Sequence, residues 1–320
     1  MNRNAFNSII GLTLILGLFL ACGNKPKNTQ AEQQYQKAAR YFMADESFSP
    51  ILNEALDVYR YMNVLDTLEA NYTNEQEAIR KLMLLETWLA FTTRDLTPKE
   101  RQNLIDRRYQ PHTIPIAYDG LAIIVNNENN DTCITVKDFK RILRGEVSRW
   151  ADLYPKSRLG DIDVVFDNPL SSTVRWCVDS LLDGKEFSAP NIGAVQTSAA
   201  VIDYVEKHKN AMGIIGSNWI NDSRDTTNVT FKKNITVMKV SRMDSATVVN
   251  SWRPYQYYIY NGNYPLIRTI YALLTEPRNG MPSGFAHFCR LPKGQLLIQK
   301  SGLLPYQAGM NVRQIFVNKH

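Results

Sequence analysis

No two cysteines in this sequence stand at C-x-x-C spacing, and there are only four in 320 residues: Cys22, Cys133, Cys177 and Cys289. A thiolate metal site or a dithiol redox motif needs that spacing, so neither is expected. The four histidines, His112, His208, His287 and His320, show no metal-ligand spacing, and no serine stands in a G-x-S-x-G elbow. The usual signs of hydrolytic or metal-assisted catalysis are therefore missing, and the chain reads as a protein that performs no chemistry and carries no cofactor or metal. Lysine and arginine never gather into a run or into a stripe with interleaved aromatics, which argues against nucleic acid as a partner. Beyond residue 21 no stretch is long and apolar enough to span a membrane.

The chain does have enough apolar residues for an ordinary core, 44% against 21% charged, and enough length for two domains. Its first segment stands outside that core. Arg3 precedes an apolar run over 9–21, followed by Cys22-Gly23, the outline of an export signal at residues 1–21. Residues 19–23, FLACG, resemble the lipobox of bacterial lipoproteins, which implies cleavage before Cys22 and lipidation of that cysteine. The mature protein would then hang from a bacterial membrane, periplasmic side, by acyl chains on Cys22. Residues 22–37 are polar and read as a tether. Basic residues outnumber acidic ones 37 to 31, or 36 to 31 once Arg3 leaves with the signal, a mild surplus that weakly favours anionic partners. An exported protein can pair two of Cys133, Cys177 and Cys289, but Cys177 falls on the apolar face of a helix and reads as a buried free thiol.

Residues 161–184, DIDVVFDNPLSSTVRWCVDSLLDG, form the most suggestive stretch. A β-rich run gives way to a polar turn with Ser171, Ser172 and Thr173, and then Val174, Cys177, Val178, Leu181 and Leu182 recur at helical spacing. Hydroxyls and free N–H groups at a helix start suit an anion, because the helix dipole adds partial positive charge there. An ordinary N-cap would look the same.

Other junctions repeat the theme. Ser49-Pro50 starts a helical stripe, and Thr73-Asn74-Glu75-Gln76 has the T-x-x-Q form of a capping box. WLAFTT at 88–93 reads as a strand before a charged helix. Helix and strand alternate, which argues for an α/β fold. Residues 113–126, TIPIAYDGLAIIVN, are the most apolar strand-like run, interrupted by Asp119-Gly120, so that they form two strands or one with a bend. Further strands are expected at 212–215, 235–240 and 255–260, and helices at 265–275, 285–289 and 295–301.

The order and spacing of IPIAYDGLAIIVN, ITVKDFKRILRGEVSRWADL, SSTVR, NAMGIIG, RPYQYYIYNG and GFAHFCRLPKGQLLIQKSGLLPY resemble the substrate-binding proteins of phosphate ABC transporters. The resemblance runs from about residue 44 to 306. It implies a two-lobe, periplasmic-binding-protein-like (type II) α/β fold with two crossover strands, near 116–121 and 240–253. Lobe one would comprise 38–118 plus 250–320, lobe two 119–249, with the ligand in the cleft. It further implies capture of phosphate or a related small oxyanion, delivered to the membrane subunits of an ABC transporter. The ligand-binding residues it transfers are Ser47, Phe48, Ser49, Thr73, Arg94, Ser171, Ser172 and Thr173.

Several positions depart from the family's pattern. Its loop glycine is Ser172, its usual arginine before that loop falls at about Asp167, and its second loop carries Glu75 and Glu77. Carboxylates repel an oxyanion unless protonated or accepting the ligand's own proton; one helps to choose protonated phosphate over sulfate, and three are too many. Glu75 and Glu77 read as first-turn residues favoured by the helix dipole. Arg94 and Arg175 are candidate countercharges, and Tyr118 and Asp119 suit a hinge as well as a ligand contact. These departures keep a second reading open, a sensor or adaptor lipoprotein with the same fold that has lost phosphate and binds another ligand or a protein.

Overall fold

The computed structural model describes residues 30–221 and 231–307. The export signal and Cys22 lie outside them. Among the described residues no helix is long and apolar enough to cross a membrane. Part of the segment read as tether forms a helix, Gln30–Ala39, with Gln36 donating to Glu32 one turn away at 2.7 Å.

One strand organises the remainder. β1 (Tyr41–Asp45), β2 (Glu69–Thr73) and β3 (Leu89–Thr92) precede β4 (His112–Asn126), which runs unbroken for 15 residues through Asp119-Gly120. β5 (Cys133–Thr135), β6 (Asp163–Phe166), β7 (Ile192–Ala194), β8 (Ala211–Gly216), β9 (Ile235–Val237), β10 (Lys239–Ser241), β11 (Ile267–Leu274) and β12 (Leu304–Pro305) follow. The long sheet has the order β2-β1-β3-β11-β4-β8-β6-β7, with β9 and β12 also on β4. The N-terminal half of β4 pairs with β11 and β12, whereas Leu121–Val125 pair with β8. An apolar run buried on both faces is what such a central position requires. Asp119-Gly120 does not break it because Gly120 admits the side chains of Pro254 and Tyr264 where a Cβ would stand.

Packing centres flank the transition on either side, and a further one packs Val201 and Val205 of the helix Ser198–Lys207 with Ile124 and Val165. The first gathers Phe42, Phe48, Leu52, Phe91, Ile270, Phe285 and Phe288 around the β1-β3-β11 half. The second gathers Ile123, Phe139, Trp150, Val164, Phe166 and Cys177 around β6 and β8, and also takes in Ile259, Tyr264 and Leu266. The chain thus returns to the first centre with β11. Cys133, Cys177 and Cys289 are free thiols, the last two buried.

Three elements differ from expectation. Residues 235–240, read as one strand, divide into β9 on the long sheet and β10 paired with β5. Residues 255–260, aromatic enough for a strand, form the helix Gln256–Tyr260, because Tyr255 stacks on Phe231 with ring centroids 4.8 Å apart while Ile259 enters the core. Residues 265–275, whose apolar spacing also fits a helix, form β11 instead. There Arg268, Ile270 and Ala272 are buried in period two between β3 and β4, so tertiary pairing overrides the local pattern.

Candidate functional site

Where β4 crosses the sheet, a polar cluster is sealed between the two halves. Asp119 on β4 and Arg268 on β11 face each other at positions paired in the ladder, and both side chains are 0% exposed. Arg268 Nε donates to Asp119 Oδ2 at 2.8 Å, and Asp119 Oδ1 accepts from the N–H and hydroxyl of Ser217 at 2.9 and 2.7 Å. The remaining guanidinium nitrogens reach the hydroxyls: Nη1 donates to Ser172 at 2.8 Å and Thr173 at 3.3 Å, and Nη2 to Ser47 at 3.3 Å. The guanidinium lies over the Phe48 ring, 5.1 Å from its centroid.

The hydroxyls come from two starts of helical structure. Asp45 ends β1 and caps the short 3₁₀ turn Glu46–Phe48, its Oδ1 accepting from the N–H of Ser47 at 3.0 Å and from its hydroxyl at 2.6 Å. Ser171 caps the helix Ser172–Leu181, accepting from Val174 N–H at 3.3 Å. Ser172 lies in the first helical turn and needs no left-handed backbone. Its N–H donates across the junction to Asp45 Oδ2 at 2.8 Å, and its Oγ stands 3.3 Å from that of Ser47. Behind the loop, Asp167 accepts from Ser171 Oγ at 2.6 Å and from Thr173 Oγ1 at 3.4 Å.

Three buried carboxylates thus surround one guanidinium. Burial first, and then the charge of Asp45, pushes the Asp167 carboxyl up to about 7. Asp45 is likewise held above the usual carboxylate range, by burial and then by the charge of Glu75, against the pull of its bonds from Ser47 and Ser172. The charge problem posed by three acids is met by pairing at Asp119 and by the raised proton affinity of Asp167, while Asp45 is held by hydrogen bonds from Ser47 and Ser172.

The sequence-derived residues divide. Ser47, Phe48, Ser171, Ser172 and Thr173 meet in this cluster. Ser49 does not: it opens the helix Ser49–Met62, capped by Phe48 rather than by itself, and its N–H bonds to Glu46. Thr73 ends β2 in register with Asp45, and the cap of the next helix is Asn74, which accepts from Glu77 N–H at 2.9 Å. Arg94 is held by Glu100 through two bonds of 2.7 and 2.8 Å. It borders a cavity of about 650 Å³ beside the cluster, shared with Glu75, Leu170, Ser171, Arg175 and Phe187. Glu77 is a first-turn residue paired with Arg80. Glu75, by contrast, is 1% exposed, accepts from the Thr93 hydroxyl at 2.9 Å and bonds Arg175. Asp45, Arg268, Ser217 and Asn218 were not anticipated.

Two further contacts tie the Glu46–Phe48 turn to the far half. Ser47 O accepts from Asn218 Nδ2 at 3.1 Å and from Trp219 Nε1 at 2.9 Å. Glu46 accepts from the N–H and hydroxyl of Ser198 at 3.1 and 2.9 Å, at the start of the helix Ser198–Lys207. Asn218 Oδ1, though buried, has no hydrogen-bond partner. Gly216 allows this crowding, since a Cβ there would stand 2.9–3.0 Å from Asn218 Oδ1, Arg268 Nη2 and Asp119 Oδ2. Gly216→Ala is accordingly expected to destabilise the protein by about 2 kcal/mol, within the range for overpacking a buried site, read as a lowered urea midpoint.

A sheet shared by packing centres on either side, with converging hydroxyls and helix starts buried between them, defines a two-lobe α/β binding protein of the periplasmic-binding-protein-like kind. A family model described as a PBP superfamily domain matches residues 35–290, and the chain belongs to that superfamily. It is 20% identical over 322 residues to the phosphate-binding protein PstS of Staphylococcus epidermidis, covering 98% of this chain and 93% of that one. It is 23% identical over 217 residues to the PstS of Pseudomonas aeruginosa, 62% of each chain. Among solved structures, a putative phosphate ABC transporter substrate-binding protein with bound phosphate from Clostridium perfringens superposes with a TM-score of 0.67 at 18% identity, over 83% of this chain and all of that one.

Proposed function

We propose that this protein is an envelope solute-binding protein that captures phosphate or a related small oxyanion between its lobes for an ABC transporter. Lobe one would comprise residues 38–118 and the chain from about 267 onward, and lobe two 119–266; the second boundary moves from 249 because Ile259, Tyr264 and Leu266 pack in the second centre, and the hinge falls where β4 and β11 pass between the lobes. Cys22 would carry the lipid that holds the protein at a bacterial membrane.

The observation that carries this reading is the convergence of Ser47, Ser172 and Thr173, with two starts of helical structure, around the buried guanidinium of Arg268, while Ser171 caps the second of those starts. Hydroxyls, first-turn N–H groups and a fixed cation are what a tetrahedral oxyanion needs. The acceptors beside them suit an oxyanion that brings its own proton. Asn218 Oδ1 is a buried acceptor without a donor, and phosphate carries an O–H near neutrality where sulfate carries none. Titration calorimetry on the Cys22→Ser protein is expected to give phosphate binding at least about tenfold tighter than sulfate, roughly one charge-assisted hydrogen bond. Equal affinity would count against the role of the acceptors. Replacing Ser171 and Thr173 together by alanine is expected to abolish that binding while far-UV dichroism stays unchanged.

A second reading has its own support. The N–H groups of Ser47 and Ser172 are engaged by Asp45, and a roomy, largely apolar cavity lies alongside. A sensor or adaptor that uses this fold for another ligand or a protein partner would bind neither phosphate nor sulfate in the same titration.

A further inference from the structure

The donors best placed for an oxyanion are already taken by an anion, and that anion belongs to the chain. The two oxygens of Asp45 divide the labour as two oxygens of a bound oxyanion would. Oδ1 accepts the N–H and hydroxyl of Ser47 on the first half, and Oδ2 accepts the N–H of Ser172 at the start of a ten-residue helix on the second. Asp45 is 0% exposed and no ion pair to it is found among the described residues, so hydrogen bonds from both halves and the ends of helical structure hold it in place. The same two serines accept from Arg268.

We propose that Asp45 is the specificity-determining residue of this site: its carboxylate is an internal stand-in for the oxyanion, bridging the two halves, and solute oxyanion binds by displacing it. This rests on the reading of the cleft as an oxyanion site. Two negative groups cannot share three donors and one guanidinium at close range, so the affinity for solute is reduced by whatever Asp45 gains from its seat. An oxyanion that forms only as many bonds as a carboxylate gains little from the exchange. A tetrahedral one has further oxygens for Thr173 and Arg268, and so the competition favours phosphate or arsenate over formate or acetate.

The test is calorimetric titration of inorganic phosphate into the Cys22→Ser protein and its Asp45→Ser and Asp45→Asn variants. Both variants retain an oxygen acceptor and remove a buried charge. The expected result is phosphate binding at least about tenfold tighter in Asp45→Ser than with Asp45 present, including the case in which only the variant binds measurably. A second measurement needs no variant that folds: the ¹³C resonance of the Asp45 carboxyl in labelled protein is expected to move as phosphate saturates the site. Phosphate binding by the parent protein that Asp45→Ser leaves unchanged or weaker, or an Asp45 resonance that stays in place at saturation, would overturn the displacement and leave the oxyanion reading intact. Binding by neither the parent nor either variant would overturn both.

Discussion

Replacing Arg268 by methionine is expected to cost roughly 3–5 kcal/mol of stability, the usual penalty for removing one partner of a buried ion pair. Asp119 is fully buried, and without the guanidinium its charge would be left with the N–H and hydroxyl of Ser217 alone. The loss is not confined to that pair. Arg268 also donates to Ser172, Thr173 and Ser47 and covers Phe48, so it binds together β4, β11 and the two hydroxyl loops. Methionine fills the volume and removes every donor. Urea unfolding at pH 7 should show the midpoint fall accordingly, and adding Asp119→Asn should restore a large part of the loss by removing the stranded charge. Arg268→Lys would not be conservative, because a single ammonium cannot address a carboxylate and three hydroxyls from one planar fork. A cost below about 1 kcal/mol for Arg268→Met, the range of exposed ion pairs, would mean that the pair is solvated.

The parts of this site legible in the sequence are those formed by neighbours along the chain. The junction at Ser171, Ser172 and Thr173 announces itself because a strand, a polar turn and a helical stripe occur within 24 residues. The alternation of helix and strand likewise gives the α/β class. Arg268 was invisible for two reasons. Its partner Asp119 lies 149 positions away, and the run around it, LIRTIYALL, has apolar spacing that suits a helix as well as a strand. Only the neighbouring strands β3 and β4 make it a strand and turn Arg268 inward. The sequence marks Asp119 as a hinge residue or a ligand contact rather than as half of an ion pair. A signal for Asp45 was present and unread: Asp-x-Ser after a β-rich run is the pattern of a side chain capping the turn that follows. Glu75 is the first-turn residue that its position predicts, but the burial of its side chain against Thr93 and Arg175 depends on contacts 18 and 100 positions away that no local pattern shows.

Asp167→Asn is expected to remove a pH dependence of stability that the parent protein shows between about pH 4 and pH 7. The Asp167 carboxyl is raised from 3.8 to about 7, by burial first and the charge of Asp45 second, with Ser171, Asn168 and Arg268 pulling in the opposite sense. In the window between those values the folded chain keeps a proton that the unfolded chain has lost. The contribution is therefore fully present below about pH 4, falls away as the pH rises through 7, and stays lost above it. Its full span is on the order of a few kcal/mol, since each tenfold gain in proton affinity corresponds to about 1.4 kcal/mol. Asparagine keeps an acceptor for Ser171 and carries no titrating group, so the stability of variant relative to parent should climb across the window and level off above it. Urea unfolding at four or five pH values reads this directly, and parallel curves for the two proteins would show that Asp167 ionises as freely in the folded state as in the unfolded one. The same comparison in an Asp45→Asn background separates the two causes. Without the neighbouring charge the window should narrow from its upper end, and whatever remains is the cost of burial alone. That remainder fixes how acid-rich a buried site can be: Asp167 can border the hydroxyl loop because burial raises its affinity for a proton, and Asp119 because Arg268 balances its charge.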